Sequence, residues 1–244
     1  MMKHFEKSIS VIFLGLVLAS CGGGGGSATV IPNSDPQGYW SGPSSSGYTV
    51  NAVVLSSGET WGIYSSGSTI YGGLYGSTAT NGNSVSINGT DFNYTTNSSS
   101  PGSLTGTIVS KASMSLSGSG VTLPLTYQST YDTPSTYSAV SGTWSFIGRS
   151  SNYNLVPGSV TVDASGNFVL NQTNCVTTGS ILPNSGGKNV YTVNLSSAGN
   201  GCAAGQSSLS GVMYLDTTVT PNKFLALALT SSKNNGLIVI GTKH

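Results

Sequence analysis

Apolar and polar side chains alternate along this chain in short runs with the period of β-strands rather than the spacing of helices. The clearest runs are residues 48–55, 69–75, 103–109, 159–163, 190–195, 208–215, 223–230 and 237–240. Turn signals separate them at Ser57-Gly58, Asn81-Gly82, Asn88-Gly89, Ser165-Gly166-Asn167 and Asn235-Gly236. Asn-Gly between two such runs is the strongest short hairpin signal. The pattern predicts an all-β protein built from antiparallel hairpins.

One run shows a different pattern, since it is apolar at nearly every position. In residues 223–230, Phe224, Ala226 and Ala228 alternate with Leu225, Leu227 and Leu229. This strand is expected to be covered on both faces. The even spacing of the other short strands favours an antiparallel meander that closes into a small barrel or packs as a sandwich. About eight strands fit 100 residues, and closure removes exposed strand edges.

Four landmarks recur in the same order at a shift of about 105 residues. They are Gly38-Tyr39-Trp40-Ser41 with Gly142-Thr143-Trp144-Ser145, Ser57-Gly58 and Trp61 with Ser165-Gly166 and Phe168, Val85 with Val190, and Ser103-Leu104-Thr105-Gly106 with Ser208-Leu209-Ser210-Gly211. A period of this length matches one small domain. We therefore predict two tandem small antiparallel β-barrel or sandwich domains from an internal duplication, spanning residues 35–141 and 142–244.

The composition narrows the possible functions. The 244 residues include 8 Lys and Arg and 7 Asp and Glu, so 6% are charged, where a soluble domain usually has about a quarter. A net charge of +1 offers no positive surface for a phosphate backbone, which excludes nucleic acid as a partner. With 37% hydrophobic and 9% aromatic residues, the chain also lacks the composition of a disordered protein.

The first 20 residues have the organisation of a secretory signal: a short charged start, then an apolar stretch over residues 9–19 that is too short to span a bilayer. The stretch ends in Leu18-Ala19-Ser20-Cys21, which resembles the lipobox of bacterial lipoproteins. The resemblance implies cleavage before Cys21, to which a diacylglycerol is attached by a thioether together with an N-terminal acyl chain such as palmitate. The alternative is an ordinary secretory signal cleaved near Ala19 or Ser20.

The residues that follow the lipobox suggest where the protein is anchored. Gly22 stands where an Asp marks inner-membrane retention, so the resemblance implies the outer membrane, on its periplasmic or its surface side. An unbroken glycine run continues to Gly26, and such tracts are flexible tethers. We assign residues 21–34 as lipidated cysteine and tether. Lipobox, poly-glycine tether and serial β-domains are similar in organisation to surface lipoproteins of the transferrin-binding protein B and factor-H-binding protein kind, although this chain is shorter and much less charged.

Cys175 and Cys202 both lie in the second predicted domain. A secretory signal places the chain in an oxidising compartment, and once Cys21 is lipidated these two thiols have a single possible pairing. A metal site requires further ligands, and a redox site requires a closely spaced Cys-X-X-Cys pair. We expect a structural disulfide that pins the Gly199-Asn200-Gly201 turn onto the sheet.

Candidate catalytic groups are scarce. Outside the signal the one histidine is His244, at the last position of the sequence, which argues against a Ser-His-Asp triad. Asp163 and Glu59 lie at equivalent turns, where backbone hydrogen bonding is the commoner role. A glycosidase pair would need two carboxylates within about 10 Å of each other. We expect no catalytic residue, no metal and no cofactor, and therefore a protein that is not an enzyme.

Tyrosine and tryptophan are concentrated in the first half of the mature chain. Tyr mixed with Ser, Gly and Asn is typical of binding loops, and Tyr also favours half-buried strand faces. The expected function is binding of a protein or a small ligand at the outer membrane. The alternatives are a structural or accessory envelope lipoprotein and, less favoured, a carboxylate-dependent hydrolase. A ligand carrier would need an apolar cavity of about 300 Å³ or more.

Overall fold

The computed structural model describes residues 32–150, 157–202 and 205–244. They form two closed eight-stranded antiparallel barrels in tandem, so the predicted fold class is confirmed. Of the two architectures that the sequence left open, barrel and sandwich, both domains adopt the barrel. The predicted signal peptide, most of the tether and Cys21 lie outside the described residues.

Barrel 1 contains the strands β1 (Gly38–Pro43), β2 (Thr49–Val54), β3 (Glu59–Ser66), β4 (Thr69–Asn81), β5 (Ser84–Asn93), β6 (Ser98–Val109), β7 (Ser113–Gly118) and β8 (Val121–Tyr127). A short 3₁₀ helix (Ser129–Asp132) and a single-turn helix α1 (Tyr137–Val140) connect it to barrel 2. Barrel 2 contains β9 (Gly142–Ser150), β10 (Gly158–Val162), β11 (Asn167–Gln172), β12 (Cys175–Pro183), β13 (Val190–Ala198), β14 (Ser208–Asp216), β15 (Lys223–Thr230) and β16 (Gly236–Lys243).

Each barrel is an up-and-down meander in which every strand pairs with its neighbours in the chain. Closure comes from the first strand, because β1 pairs with β8 as well as β2, and β9 pairs with β16 as well as β10. Their backbone donors and acceptors are thereby paired on both sides, which protects strands of such low charge from edge-to-edge association.

Two of the repeated tryptophans occupy equivalent places. Trp40 in β1 and Trp144 in β9 are both buried. Each donates its indole N–H to the carbonyl four residues upstream, Trp40 to Pro36 at 2.9 Å and Trp144 to Val140 at 2.8 Å. The segment that precedes each first strand is therefore fixed under the end of its barrel by the same contact.

The second pair of landmarks forms the same turn twice. Gly58 and Gly166 have φ values of 83° and 84°, a left-handed conformation that favours glycine. Their carbonyls accept matching hydrogen bonds across to the fourth strand of each barrel, from Thr78 N at 2.7 Å and Ile181 N at 2.8 Å. The turn therefore ties three consecutive strands together in both barrels.

The sixth strands also match, through a close approach of backbones. A Cβ atom on Gly106 would lie 1.8 Å from the Ser115 carbonyl oxygen, and one on Gly211 would lie 1.9 Å from the Leu227 carbonyl oxygen. In both barrels the seventh strand is thus pressed against a glycine of the sixth. Val85 and Val190 share the fifth strand but not its face, since Val85 packs inside barrel 1 and Val190 lies in the core between the barrels.

One predicted turn is wrong. Asn88-Gly89 lies within β5, where Asn88 pairs with Ser77 and Gly89 with Gly76. The physical reason is close strand packing, because a Cβ on Gly89 would lie 2.8 Å from the Gly76 Cα. Glycine is required here for the approach of two backbones and not for a turn.

The outer faces of the two barrels meet in a shared apolar core, here called the inter-barrel core. Its buried members are Tyr39, Val53, Trp61, Ile63, Ile70, Phe92, Tyr94, Tyr131, Val190, Val212, Tyr214, Leu227, Leu229 and Ile238. At one end of it the rings of Tyr39 and Tyr214 stack at 3.6 Å with an angle of 12° between their planes. With the partly buried Tyr75 and Tyr127 that pack against it, this core places six Tyr and Trp side chains of the first half on buried or half-buried faces, which accounts for much of the aromatic excess.

Strand β15 shows why its sequence is apolar throughout. Phe224 and Ala226 face the interior of barrel 2, whereas Leu227 and Leu229 belong to the inter-barrel core. The expectation that this strand is covered on both faces is confirmed. Gly73 of β4 lies opposite it, since a Cβ there would be 3.3 Å from Leu227 Cδ2.

Polar contacts hold the connecting segment against both barrels. Asp132 bridges Lys111 of barrel 1 at 2.9 Å and Lys188 of barrel 2 at 2.7 Å, and it accepts a hydrogen bond from the Tyr127 hydroxyl at 3.0 Å. Hydrogen bonds from the two lysines lower the pKa of Asp132 to about 2, and the bond from Lys188 has the larger effect.

A further polar contact joins the two barrels directly, since the Arg149 guanidinium of β9 donates to the carbonyl of Ile70 in β4 at 2.8 Å.

The ion pairs of Asp132 predict a pH-dependent contribution to stability. Because the folded-state pKa is depressed to about 2 from 3.8, the contribution is present at neutral pH and is lost as the pH falls from about 4 to 2. We expect Asp132→Asn to lower the free energy of unfolding at pH 7 by about 1 kcal/mol, since the pairs are partly exposed. Urea titrations at pH 7 and pH 2 measure this. An equal difference from the wild type at both pH values would contradict the assignment.

Candidate ligand-binding cavity

Barrel 2 contains an apolar cavity of about 110 Å³. Its walls come from the inward-facing positions of the strands, where alternation sends every second side chain to the interior. The lining residues that form the deep part are Trp144, Phe146, Val160, Val162, Ile181, Val193, Met213, Phe224, Ala226 and Val239. None of the described lining residues carries a formal charge, so the cavity offers dispersion contacts and desolvation rather than ionic recognition.

One end of the cavity is closed by the connecting segment. Val140, the last residue of α1, is fully buried and lines the cavity together with Trp144. The Lys243 ammonium donates to the Ala139 carbonyl at 2.9 Å and lies 5.4 Å from the Trp144 ring centroid. These contacts fix α1 across this end of the barrel.

The opposite end is where the polar lining residues lie. Gln172, Thr177 and Ser197 contribute to the wall there, and the Thr177 and Ser197 hydroxyls are hydrogen-bonded at 2.9 Å. Gln172 is exposed at the end of β11. An apolar ligand with one polar group would therefore place that group at this end and its apolar part toward Trp144.

The disulfide lies at the same end. Cys175 and Cys202 are bonded with their Cα atoms 4.9 Å apart, and Cys175 lines the cavity. The segment it holds also bonds directly to the β11–β12 turn, since Gly201 N donates to the Asn174 carbonyl at 2.9 Å. The bridge thus fastens the Gly199-Asn200-Gly201 turn over the sheet as expected, and it shapes the rim of the cavity.

The two barrels differ in what fills them. Barrel 1 is packed by a core of buried residues that includes Trp40, Val54, Val85, Ile87, Ile108, Met114, Leu116, Leu123 and Leu125. Counting from the equivalent turns at Gly58 and Gly166, the third strand of barrel 1 has Tyr64 near its end at the position where barrel 2 has Gln172. A large ring therefore stands at the end of barrel 1, and a slender amide stands at the rim of the barrel 2 cavity.

The cavity volume limits the ligand. About 110 Å³ is below the volume of about 300 Å³ expected of a carrier for drug-sized molecules. It is closer to the apolar cavities of about 150 Å³ that bind benzene. The cavity therefore fits one small apolar group, such as a ring or the end of a short alkyl chain.

The carboxylates are placed for structure rather than for hydrolysis. Asp163 accepts backbone N–H bonds from Ser165 and Asn167, both at 2.8 Å, and these bonds hold its pKa below the usual value. Asp35 and Asp216 likewise accept an N–H from the residue two positions on. None of the described lining residues of the cavity is a carboxylate, so it lacks the pair that a glycosidase requires.

His244 contacts Ser145 on the exposed surface of β9, where its Nε2 lies within hydrogen-bonding distance of the serine Oγ. Among the described residues no carboxylate bonds the imidazole, so the third member of a triad is missing. In the same part of the chain, no group of three His, Cys, Asp or Glu side chains is placed to hold a metal ion. Of the helices that are described, none has the length and apolar character of a membrane span.

The two cysteines were predicted from the sequence, whereas the residues that line the cavity were not. Apolar residues alternate along β9, β11 and β15 at the positions that line the cavity. The same alternation is expected of a barrel whose interior is completely filled, so it does not predict a cavity. Cys21, the predicted lipid anchor, lies outside the described residues.

No protein-family model matches the chain, and no curated protein matches it. Among solved structures, the chain is similar to a protein of unknown function from the DUF3598 family of Nostoc punctiforme, with 8% identity and a TM-score of 0.26. The alignment covers 86% of this chain and 97% of that chain. A similarity of this size supports no conclusion about function.

The disulfide closes a loop with a sequence separation of 27 residues. We expect the double variant Cys175→Ala/Cys202→Ala to lower the free energy of unfolding by about 3 kcal/mol, because loop closure restricts the unfolded chain. Denaturation of wild type and variant with and without a reductant measures this. Reduction should destabilise the wild type and leave the variant unchanged; a wild type that does not respond would be inconsistent with a stabilising bridge.

Proposed function

We propose that this chain is a lipoprotein of the outer membrane that binds a small apolar ligand inside barrel 2 and does not act as an enzyme. The observation that carries the binding proposal is the apolar cavity of about 110 Å³, closed by α1 at one end and rimmed by polar side chains at the other. The lipobox at Leu18–Cys21 and the glycine tether support the membrane address. Both features suit a protein that takes up an apolar molecule close to a bilayer.

The shape of the site supports a ligand with one polar end. Burial of an apolar group against Phe146, Val193 and Met213 would supply about 25 cal/mol for each Å² removed from water. Gln172 at the rim offers both a donor and an acceptor for the polar end. None of the described lining residues pairs a nucleophile with an adjacent base, which favours binding over chemistry.

Filling the cavity tests the binding proposal. Benzene and 1-hexanol are expected to stabilise the wild-type protein saturably, by about 1.4 kcal/mol at ten times the dissociation constant. Ala228→Leu places a larger side chain on a buried lining position of β15 and should abolish this stabilisation. Thermal unfolding with increasing probe concentration measures the effect.

Ala79→Leu is the matched control, because Ala79 is exposed on β4 of barrel 1 and the same change there should leave binding intact. Ala226→Leu is a second filling variant in case Ala228→Leu fails to fold. Wild-type protein that shows no saturable stabilisation, or filling variants that bind as well as the control, would overturn the proposal and favour a structural envelope role.

The proposed lipid anchoring to the membrane is tested at Cys21. We expect Cys21→Ala to move the protein from the membrane fraction to the soluble fraction, because several acyl chains on one residue are needed for stable anchoring. Mass spectrometry of the mature amino-terminal peptide should show a diacylglycerol and an acyl chain on Cys21. A peptide that begins before Cys21 and carries an unmodified thiol would show an ordinary secretory signal instead.

A further inference from the structure

A cluster of three tyrosines lies at the end of barrel 1 formed by the β1–β2 and β3–β4 turns, away from the cavity of barrel 2. The Tyr48 ring contacts the rings of Tyr64 at 5.7 Å and Tyr71 at 4.7 Å between centroids. All three side chains are half-buried, so part of each ring remains accessible. The cluster belongs neither to the inter-barrel core nor to the packed interior of barrel 1.

Local structure holds these rings in place. Tyr48 follows a turn in which its N–H donates to Ser44 Oγ at 3.0 Å and its carbonyl accepts from Ser44 N at 2.7 Å. Tyr64 lies over Gly72, where a Cβ would be 2.1 Å from its hydroxyl oxygen, and it donates to the Phe92 carbonyl at 3.2 Å. The pairing of β3 with β4 shifts register directly after Tyr64, between Gly72 and Ile70, which leaves Tyr71 unpaired beside Tyr48.

A carboxylate stands next to the cluster. Asp91 of β5 pairs in register with Leu74, an interior position, and directly precedes Phe92, whose carbonyl accepts the hydrogen bond from the Tyr64 hydroxyl at 3.2 Å. It is half-buried, and among the described residues no Lys or Arg forms an ion pair with it. Burial raises the pKa of Asp91 above its ordinary value, which shows the cost of desolvating a carboxylate that lacks a counter-charge.

The other aspartates of the described chain have identified partners. Asp132 pairs with two lysines, and Asp35, Asp163 and Asp216 bond backbone N–H groups of their own turns. Asp91 is different because it neither caps a turn nor pairs with a cation. Near it, Gly102 of β6 adjoins free space, since a Cβ there would meet no atom within 4 Å.

Electron-rich rings next to a carboxylate form a site that suits an organic cation. The faces of Tyr rings attract ammonium groups, and the attraction is strongest where water is partly excluded. An unpaired, half-buried carboxylate supplies the opposite charge. We propose that the open end of barrel 1 binds an organic ammonium group between the rings of Tyr48, Tyr64 and Tyr71 and the carboxylate of Asp91.

The test compares two probes of the same shape. Choline and 3,3-dimethylbutan-1-ol differ in having nitrogen or carbon at the branched centre, so only choline carries the charge. Full-length protein is placed in nanodiscs of phosphatidylglycerol, whose headgroup has no ammonium, and binding is followed by calorimetry. We expect saturable binding of choline and an affinity for the neutral alcohol that is weaker by about tenfold or more.

Variants then locate the site. Asp91→Asn and Tyr48→Leu should each weaken choline binding by about tenfold or more, and the second variant covers the case in which the first fails to fold. Asp163→Asn is the matched control, because it removes an exposed carboxylate from barrel 2 and asparagine keeps the oxygen that accepts the turn hydrogen bonds. Choline binding should also survive Ala228→Leu, which separates this site from the barrel 2 cavity.

Four results would overturn the proposal. The first is no saturable choline binding at all, and the second is equal affinity for choline and its neutral isostere. The third is choline binding that Asp91→Asn and Tyr48→Leu leave unchanged. Stronger binding of a neutral methyl glycoside than of choline would also overturn it, because the rings would then serve a sugar rather than a cation.

Discussion

The apolar core shared by the two barrels is the interaction on which the rest of the structure depends. A domain of about 100 residues buries less than 70% of its unfolded surface, so each barrel alone has a modest core. Here the outer faces of β3, β4, β15 and β16 add a second apolar layer, which includes Trp61, Ile63, Leu227 and Ile238. The stacked pair of Tyr39 and Tyr214 and the docked connecting segment bind the same two surfaces together. Because this layer contributes to stability, the chain holds its fold with very few ion pairs.

This arrangement separates the roles of the two interiors. With the outer faces contributing to stability, barrel 2 retains an apolar cavity, whereas barrel 1 is packed by its own side chains and has a ring at its open end. Equivalent strand positions therefore carry different chemistry, as Tyr64 and Gln172 illustrate. The duplicated framework of Trp40 and Trp144, Gly58 and Gly166, and Gly106 and Gly211 supplies the same scaffold twice, and the differences lie in what faces the barrel axis.

The faces used in the inter-barrel core are also not equivalent between the repeats. The predicted match of Trp61 with Phe168 is wrong, because Trp61 lies in this core and Phe168 faces the interior of barrel 2. Counted from Gly58 and Gly166, the position that matches Trp61 is Val169, which is more than half exposed. Much of the aromatic excess of the first half follows from this asymmetry, because barrel 1 presents β1 to β5 to its neighbour while barrel 2 presents β13 to β16. Outside this core, Trp40 packs inside barrel 1, Tyr137 is exposed, and Tyr48, Tyr64 and Tyr71 form the separate cluster at the barrel end.

The sequence by itself determined the all-β class, the tandem arrangement and the disulfide, because alternation, glycine turns and cysteine number are local properties of the chain. The sequence also predicted that β15 is covered on both faces, because Leu227 and Leu229 would place apolar side chains in water if one face were exposed to solvent. Only the tertiary structure decided that Asn88-Gly89 is a close strand contact, that Val85 and Val190 face opposite ways, and that one barrel keeps a cavity. These outcomes depend on strand register and on which outer faces meet, and both are set by contacts between residues far apart in the chain. The same holds for Asp91 of β5, since Tyr64 lies on β3 and donates to the carbonyl of the adjacent Phe92.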